Sequence, residues 1–432
     1  MNFLKLADWF SSEKHTTTSK KLNVAMVVSS YEGLYINSGI GTFYSTLAEF
    51  LIKTGHSVTV VYTRDQGLDP LSFQYWVSYY QTQGLELVLL PSSSSRIEAS
   101  YFARKSLEVY NYLQSREFDL VHFPDWEGVG YHSLLAKKDG LSFQNTILTV
   151  GLHGPWRWVI SANADEHSGC LSEPEEIEID YLEKKSVEMA DLVYTPSQYL
   201  VNWLQSQAWT FPSNVFMLPY LPGKAVKDSV AANPVDQILA TAESKNVKEL
   251  VFFGRLETRK GLTLFCDALD LLAEENLDVK VTFLGRTVED VEGLTSSQYI
   301  YQRAAGKWSF DWQILSNKNR QEALEYLHRR NVLVVIPSLI DNAPYTVYEC
   351  LYAGIPFIAS NTASISPLVA PEDRESALFE LSAFAIKDKI MNVFQNGMSQ
   401  VKGVFDVNSV EVSFLLRLNL IYRIPGLTSI PM

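Results

Sequence analysis

Arg255 and Lys260 stand in the segment FGRLETRKG, directly after the apolar run ELVF. A guanidinium that bonds bidentately and an ammonium point charge, set beside a helix start, can neutralise a diphosphate. The same pair can offset the charge that a departing phosphate gains. Two solvated surface cations would look identical in local composition. A second stretch, Asp341 to Glu349, reads DNAPYTVYE and continues CLYAGIP. Pro344 suits a helix start, and Gly354 with Pro356 marks its end. Backbone amides near Tyr345 and Thr346 are then placed to meet phosphate oxygens. Glu349 lies among Val347, Tyr348, Cys350 and Leu351, where a lone carboxylate is costly to bury. It is expected either on an exposed edge or bonded to hydroxyls or amides in a site, and we adopt the second reading.

The first half of the chain offers other candidates. Ser38-Gly39-Ile40-Gly41-Thr42 closes a glycine-bearing loop, and the amides of Gly41 and Thr42 are expected to open a helix that attracts anions. A tight turn that merely needs glycine explains the same residues. A dinucleotide fingerprint does not, because Tyr44 replaces the third glycine and the second strand ends Tyr62-Thr63-Arg64 rather than in an acid. His153, in GLHGP, is expected to stand sterically open at a strand's carboxyl end, or else to be an ordinary loop histidine. His56 follows a helix-ending Gly55 and reads as structural. Trp126 and Glu127 in HFPDWEG, and Trp156, Arg157 and Trp158 in GPWRW, could stack on or hydrogen-bond a sugar, or could pack a core. The acidic stretch Glu173 to Asp180 reads as a solvated helix start without a catalytic role.

Short apolar runs between turn signals must place these loops. Lys21–Ser30, HSVTVVYT, LELVLLP, FDLVHFP, NTILTVGLHG, ADLVYTPS and NVFMLPY read as buried strands, with helices at 43–54, 99–115 and 175–189. After a polar stretch at 221–247 a second series opens, with strands at ELVFF, DVKVTFLGR, NVLVVIPS and IPFIAS and helices at 261–275, 320–329 and 345–353. The pattern predicts two α/β doubly wound domains. Their boundaries are expected at 1–20 (extension), 21–220 (first domain), 221–247 (linker), 248–400 (second domain) and 401–432 (a tail that docks on a domain or a partner).

With 432 residues, the chain is too long for one core. Hydrophobic residues make up 47% and charged residues 20%, which fits a globular protein. A net charge of −13 argues against holding nucleic acid or an anionic lipid surface by bulk electrostatics, although a local basic or aromatic patch leaves peripheral membrane contact open. The 3 cysteines, Cys170, Cys266 and Cys350, are too far apart for a zinc ribbon or a disulfide framework. No secretory signal or membrane span is read, so a cytoplasmic location is expected.

Together, SGIGT, GRLETRKG and DNAPYTVYECLYAGIPFIAS resemble the retaining, nucleotide-sugar-dependent glycosyltransferases of family 4, which have the GT-B fold; the match runs from about residue 22 to 370. The resemblance implies two Rossmann-like domains facing across a cleft, acceptor on the first and nucleotide sugar on the second. Gly39 and Gly41 would lie beside the diphosphate, and Arg255 and Lys260 would bind it and stabilise the leaving group. His153 would contact the transferred sugar, Asp341 its hydroxyls, and Glu349 the ribose. Amides near Tyr345 and Thr346 would add phosphate contacts. Trp126, Glu127 and Trp156 are the acceptor candidates. The family pattern has Glu where Asp341 stands, so the acid is kept with a shorter reach. No Asp-x-Asp occurs, in keeping with a metal-independent enzyme that needs no cofactor beyond a nucleotide-diphosphate sugar, a UDP-sugar being favoured. The expected reaction is transfer of a hexose to a sugar, lipid or protein acceptor. A catalytically impaired scaffold, a sugar phosphorylase and an epimerase are the alternatives.

Overall fold

The structure, a computed structural model, describes residues 21–421 except 35–37, 65–66, 91–98, 164–170, 172, 233–246, 276, 330 and 399. The expected extension at 1–20, Cys170, the last residues of the tail and most of the 221–247 stretch lie outside the described residues. The chain divides into two units, 1–221 with 408–432, and 222–407.

Runs that are apolar on both faces need cover on both faces, which a parallel sheet between helical layers provides. In the first unit, β1 (Asn23–Val28), β2 (Ser57–Tyr62), β3 (Leu85–Leu89), β4 (Leu120–Pro124), β5 (Ile147–Gly151), β6 (Leu192–Thr195) and β7 (Val215–Met217) form one sheet in the order β3-β2-β1-β4-β5-β6-β7. Every pairing is parallel, with Val24 opposite both Val58 and Leu120. Val24 to Val28 are 0% exposed, so β1 is the centre of this core. Its helices are α1 (Gly39–Lys53), α2 (Pro70–Thr82), α3 (Tyr101–Gln114), α4 (Tyr131–Lys138), α5 (Trp156–Asn163), α6 (Pro174–Met189) and α7 (Gln198–Ser206).

The second unit repeats the plan with β8 (Glu249–Phe253), β9 (Lys280–Leu284), β10 (Trp312–Leu315), β11 (Val332–Ile336), β12 (Phe357–Ser360) and β13 (Leu378–Phe379), all parallel, in the order β10-β9-β8-β11-β12-β13. Its helices are α8 (Lys224–Ala232), α9 (Leu262–Ala273), α10 (Ser296–Ala304), α11 (Arg320–Leu327), α12 (Tyr345–Ala353), α13 (Arg374–Ala377) and α14 (Ala383–Asn396). Part of the stretch read as a linker is therefore helical: α8 packs on α11 and α12, and Ser229 Oγ lies 3.0 Å from His328 Nδ1. A last helix, α15 (Val407–Ile421), belongs to the first unit, where the Phe414 ring meets that of Phe50 at 6.0 Å. Both units are Rossmann-like, as the alternating runs predict.

His56 is structural: buried, it accepts the Leu22 N–H on Nδ1 at 3.1 Å. Cys266 and Cys350 are buried free thiols. Among the described residues, no helix is long and apolar enough to cross a membrane.

Strand order reverses direction between β1 and β4 in one sheet and between β8 and β11 in the other. Loops leaving such neighbours diverge to opposite faces and open a crevice at the carboxyl edge. The segments holding Gly39, Gly41, Trp126 and Glu127 leave the first switch point; those holding Arg255, Lys260 and Asp341 leave the second. Gly261 lets the latter two loops touch. Its φ is +81°, and a Cβ there would lie 1.9 Å from the Pro337 carbonyl oxygen. Gly261→Ala is therefore expected to cost about 2–4 kcal/mol through left-handed strain and a backbone collision. Thermal unfolding followed by circular dichroism checks it: a melt several degrees lower is expected, and an unchanged one would show that the loops have room to part.

Candidate active site

In the second unit β8 ends at Phe253, and Gly254 and Arg255 follow at once. A short 3-10 turn, Thr258–Lys260, then leads through Gly261 into α9. Lys260 Nζ is bonded to Asp341 Oδ2, across 81 positions of sequence. Arg259, only 6% exposed, has its guanidinium 2.8 Å from Glu257 Oε1 and 3.8 Å from Asp341 Oδ1. Arg255 reaches the same Glu257 oxygen at 3.1 Å. The chain of contacts thus sets three cations (Arg255, Arg259, Lys260) against two carboxylates (Glu257, Asp341), leaving one positive charge over.

Burial pushes Arg255 and Lys260 below their ordinary values. Burial alone would raise Asp341, yet Lys260, Arg259 and Arg255 hold it below the usual carboxylate range. Asp341 in turn opposes the effect of burial on Lys260, and the cluster lies at the carboxyl edge of the sheet, where an anion would be welcome.

Next to them, α12 starts at Pro344 and stops at Gly354, whose φ is 66°. Tyr345 and Thr346 occupy its first two positions, both half-buried. Glu349 is 5% exposed, so the exposed-edge reading is excluded. Within the protein it faces a cation: Arg320, first residue of α11, brings Nε to 2.5 Å from Glu349 Oε1. Burial raises the Glu349 carboxyl, and Arg320 opposes that.

The first unit holds its acids differently. Asp125 follows β4 and is 0% exposed; its Oδ2 accepts the N–H groups of His153 and Gly154, each at 2.9 Å. Burial pushes it up to about 7 despite those two bonds. Glu183 on α6 is also 0% exposed and accepts from Glu127 N at 2.9 Å and Trp156 N at 2.8 Å. Burial raises it as well, with Asp125 adding to the effect. Glu127 adopts left-handed φ 60°, costly for a side chain with a Cβ, and its amide is the one that Glu183 catches. Glu183 thereby joins the loops after β4 and β5 and brings the Trp126 and Trp156 rings to 5.4 Å.

His153 is not open. Phe43 (4.8 Å), Tyr44 (5.6 Å), Tyr194 (6.4 Å) and Tyr220 (6.3 Å) ring its imidazole. Its Nδ1 lies 3.4 Å from the Tyr220 hydroxyl, while Nε2, like Asp125 Oδ1, is buried without a partner among the described residues.

The helix α1 opens two residues earlier than expected, at Gly39, and the amides of Gly41 and Thr42 in its first turn are already bonded: Ser38 Oγ accepts from Gly41 N at 2.9 Å and Ser38 O from Thr42 N at 2.9 Å. A Cβ on Gly41 would lie 2.6 Å from Ser30 Oγ, so its smallness serves the approach to β1. Gly39 is exposed. The acidic run at 173–180 is not all solvated, because Asp180 is 7% exposed and takes the Arg157 fork at 2.7 and 2.5 Å.

The structure gathers Arg255, Lys260 and Asp341, each named from the sequence, into one cluster, with Arg259, Arg320, Asp125 and Glu183 passed over. Asp125 carried the same signal as His153, a polar residue just beyond an apolar run; Glu183, inside a helix, carried none. Among the described residues, no group of three or more His, Cys, Asp or Glu could hold a metal ion.

The His153 imidazole is pushed down by burial to about 3. A folded value below the unfolded one, about 6.5, means that its contribution to stability is complete above pH 6.5 and is lost as pH falls toward 3. The ring-proton resonance of His153, assigned with His153→Gln, is expected to stay fixed from pH 8 to pH 5, about two units above its pKa. An inflection near pH 6.5 would mean that the ring reaches water.

The solved structures similar to this chain share its fold at low identity. Sucrose-phosphate synthase (tll1590) from Thermosynechococcus elongatus aligns with TM-score 0.64 and 15% identity over 93% of this chain and 98% of its own. The catalytic domain of starch synthase IV from Arabidopsis thaliana, bound to ADP and acarbose, gives 0.60 and 14% over 95% and 100%. Anabaena Alr3699/HepE in complex with UDP and glucose gives 0.58 and 13% over 92% and 99%. No curated protein sequence matches the chain. Two family models do: Glycosyltransferase Family 4 over residues 37–219 and Glycosyl transferases group 1 over residues 237–402. The first covers most of the unit built on β1 and the second most of the unit with the Arg255–Lys260 cluster, and the chain belongs to these glycosyltransferases of GT-B fold.

Proposed function

We propose that this glycosyltransferase is a retaining enzyme that takes a hexose from a nucleotide-diphosphate sugar, without a metal ion, and passes it to a hydroxyl-bearing acceptor. The observation that carries the reading is the cationic surplus of Arg255, Arg259 and Lys260 over Glu257 and Asp341 at the carboxyl edge of β8 and β11. During transfer the bond from the sugar's anomeric carbon to the diphosphate oxygen breaks, and its electron pair stays on the diphosphate. The acceptor oxygen forms the new bond, and its proton passes to the departing diphosphate, which has gained an electron pair. Arg255 and Lys260 are assigned to the oxygen that gains charge, a task met elsewhere by a divalent cation. Lys260 has three hydrogens to give, and Asp341 takes one.

Amides at Tyr345 and Thr346 are assigned to phosphate oxygens, Glu349 to the ribose, and Asp341 to donor-sugar hydroxyls. Gly39 and Gly41 are assigned to the donor's diphosphate. His153 is assigned to the transferred sugar, with its neutral ring able to share a hydrogen bond but not a charge. Acceptor contacts are assigned to Trp126, Glu127 and Trp156. Solved structures of this fold hold UDP with glucose in one case and ADP with acarbose in another, which supports a nucleotide-sugar donor and a carbohydrate acceptor.

Calorimetry with UDP-, GDP- and ADP-sugars in the absence of divalent metal tests this. Saturable binding of one class is expected, and no binding by any would favour a scaffold without turnover. In Lys260→Ala, loss of one charge-assisted hydrogen bond should weaken donor binding about tenfold to a hundredfold. Unchanged affinity in a variant that still melts cooperatively would remove Lys260 from the diphosphate site.

A further inference from the structure

We propose that Arg320 is a positioning residue for nucleotide recognition: its guanidinium fixes the Glu349 carboxylate so that this acid can accept the hydroxyls of a ribose. The inference rests on the ribose role assigned to Glu349 above. Three observations carry it. First, the two side chains are enclosed together, Arg320 18% and Glu349 7% exposed, and Nε lies 2.5 Å from Oε1. Second, the guanidinium also sits 5.2 Å from the centre of the Tyr345 ring, at the first position of the helix that carries Glu349. Third, the two residues come from different helices: Arg320 opens α11, and Asn319 caps that helix, accepting from Glu322 N at 2.9 Å. A capped helix start is a rigid mount, so the guanidinium is delivered to Glu349 from a fixed point and not from a loop.

The chemistry follows from how a carboxylate binds a diol. Ribose 2′- and 3′-hydroxyls donate, and an ionised carboxylate accepts, most strongly when it stays charged and fixed in orientation. A buried glutamate without a cation tends to take up a proton and to lose that acceptor strength. Arg320 supplies the cation and engages one oxygen. The other carboxylate oxygen is the one assigned to the diol.

The test uses the whole protein and the nucleotide diphosphate that binds best among UDP, ADP and GDP, together with its 2′,3′-dideoxy analogue. Calorimetry of the wild type is expected to show the ribose form preferred. In Arg320→Met most of that preference should vanish, with ribose-form affinity down about tenfold, the scale of one charge-assisted hydrogen bond. Glu349→Gln should lose the same preference, and the double variant should be no worse than either single one. Arg320→Lys should recover part of the preference, which a merely structural lesion would not do.

If Arg320→Met melts non-cooperatively, Arg320→Gln decides by the same comparison. A folded Arg320 variant with full discrimination would overturn the positioning role while leaving the ribose role of Glu349 intact. Wild-type protein that ignores the ribose hydroxyls would overturn both.

Discussion

The ion pair between Lys260 and Asp341 ties the loop after β8 to the loop after β11, at the one place in that sheet where strand order reverses. Neither partner tolerates being left alone: removing one member of a buried pair strands a charge in a poorly solvated place, at a cost of about 3–5 kcal/mol. The backbone reinforces the link, since Leu339 N donates to Arg259 O at 3.0 Å and Gly261 admits the Pro337 carbonyl. Fold and electrostatics therefore share the same contacts. The residues that hold the two loops together are those whose surplus charge makes the crevice attractive to an anion.

The first unit solves the same problem without cations. Asp125 and Glu183 are fully buried acids that accept backbone N–H groups of neighbouring loops, two on Oδ2 of Asp125 and one on each oxygen of Glu183. Amide dipoles stabilise a carboxylate less than a guanidinium does, and burial accordingly lifts both acids. The gain is geometric. Each carboxylate bridges two amides, so the loops after β4 and β5 are held in register and the Trp126 and Trp156 rings meet. One unit thus presents surplus positive charge, and the other presents neutral rings with polar tips.

Much of this plan was legible in the sequence. Runs such as NVAMVV and VLVVI are apolar at consecutive positions, which only a strand covered on both faces can use, and they are the central strands of the two sheets. Helix α2 was not visible because PLSFQYWVSYYQT has no charged residue to mark a polar face, and its solvent stripe, Leu71, Tyr75 and Tyr79, is itself apolar. The half-buried edge strand β10, WQIL, is too short to show a period. Candidate residues at strand ends were picked out by position alone. Their partners were not, because Lys260 meets Asp341 across 81 positions and no local pattern encodes such a meeting.

Asp341 illustrates what the pairing changes. A glutamate at this point would reach one methylene further. The aspartate instead keeps Oδ2 on Lys260 and takes its own neighbour's amide, Asn342 N, on Oδ1 at 3.0 Å. A carboxylate offers about four lone-pair sites, so two bonds inside the protein do not exhaust it. The shorter side chain thus serves Lys260 first, with capacity left for a ligand hydroxyl that comes close. On this geometry the acid holds the ammonium in place, and the cluster keeps the same cationic surplus that a glutamate would leave.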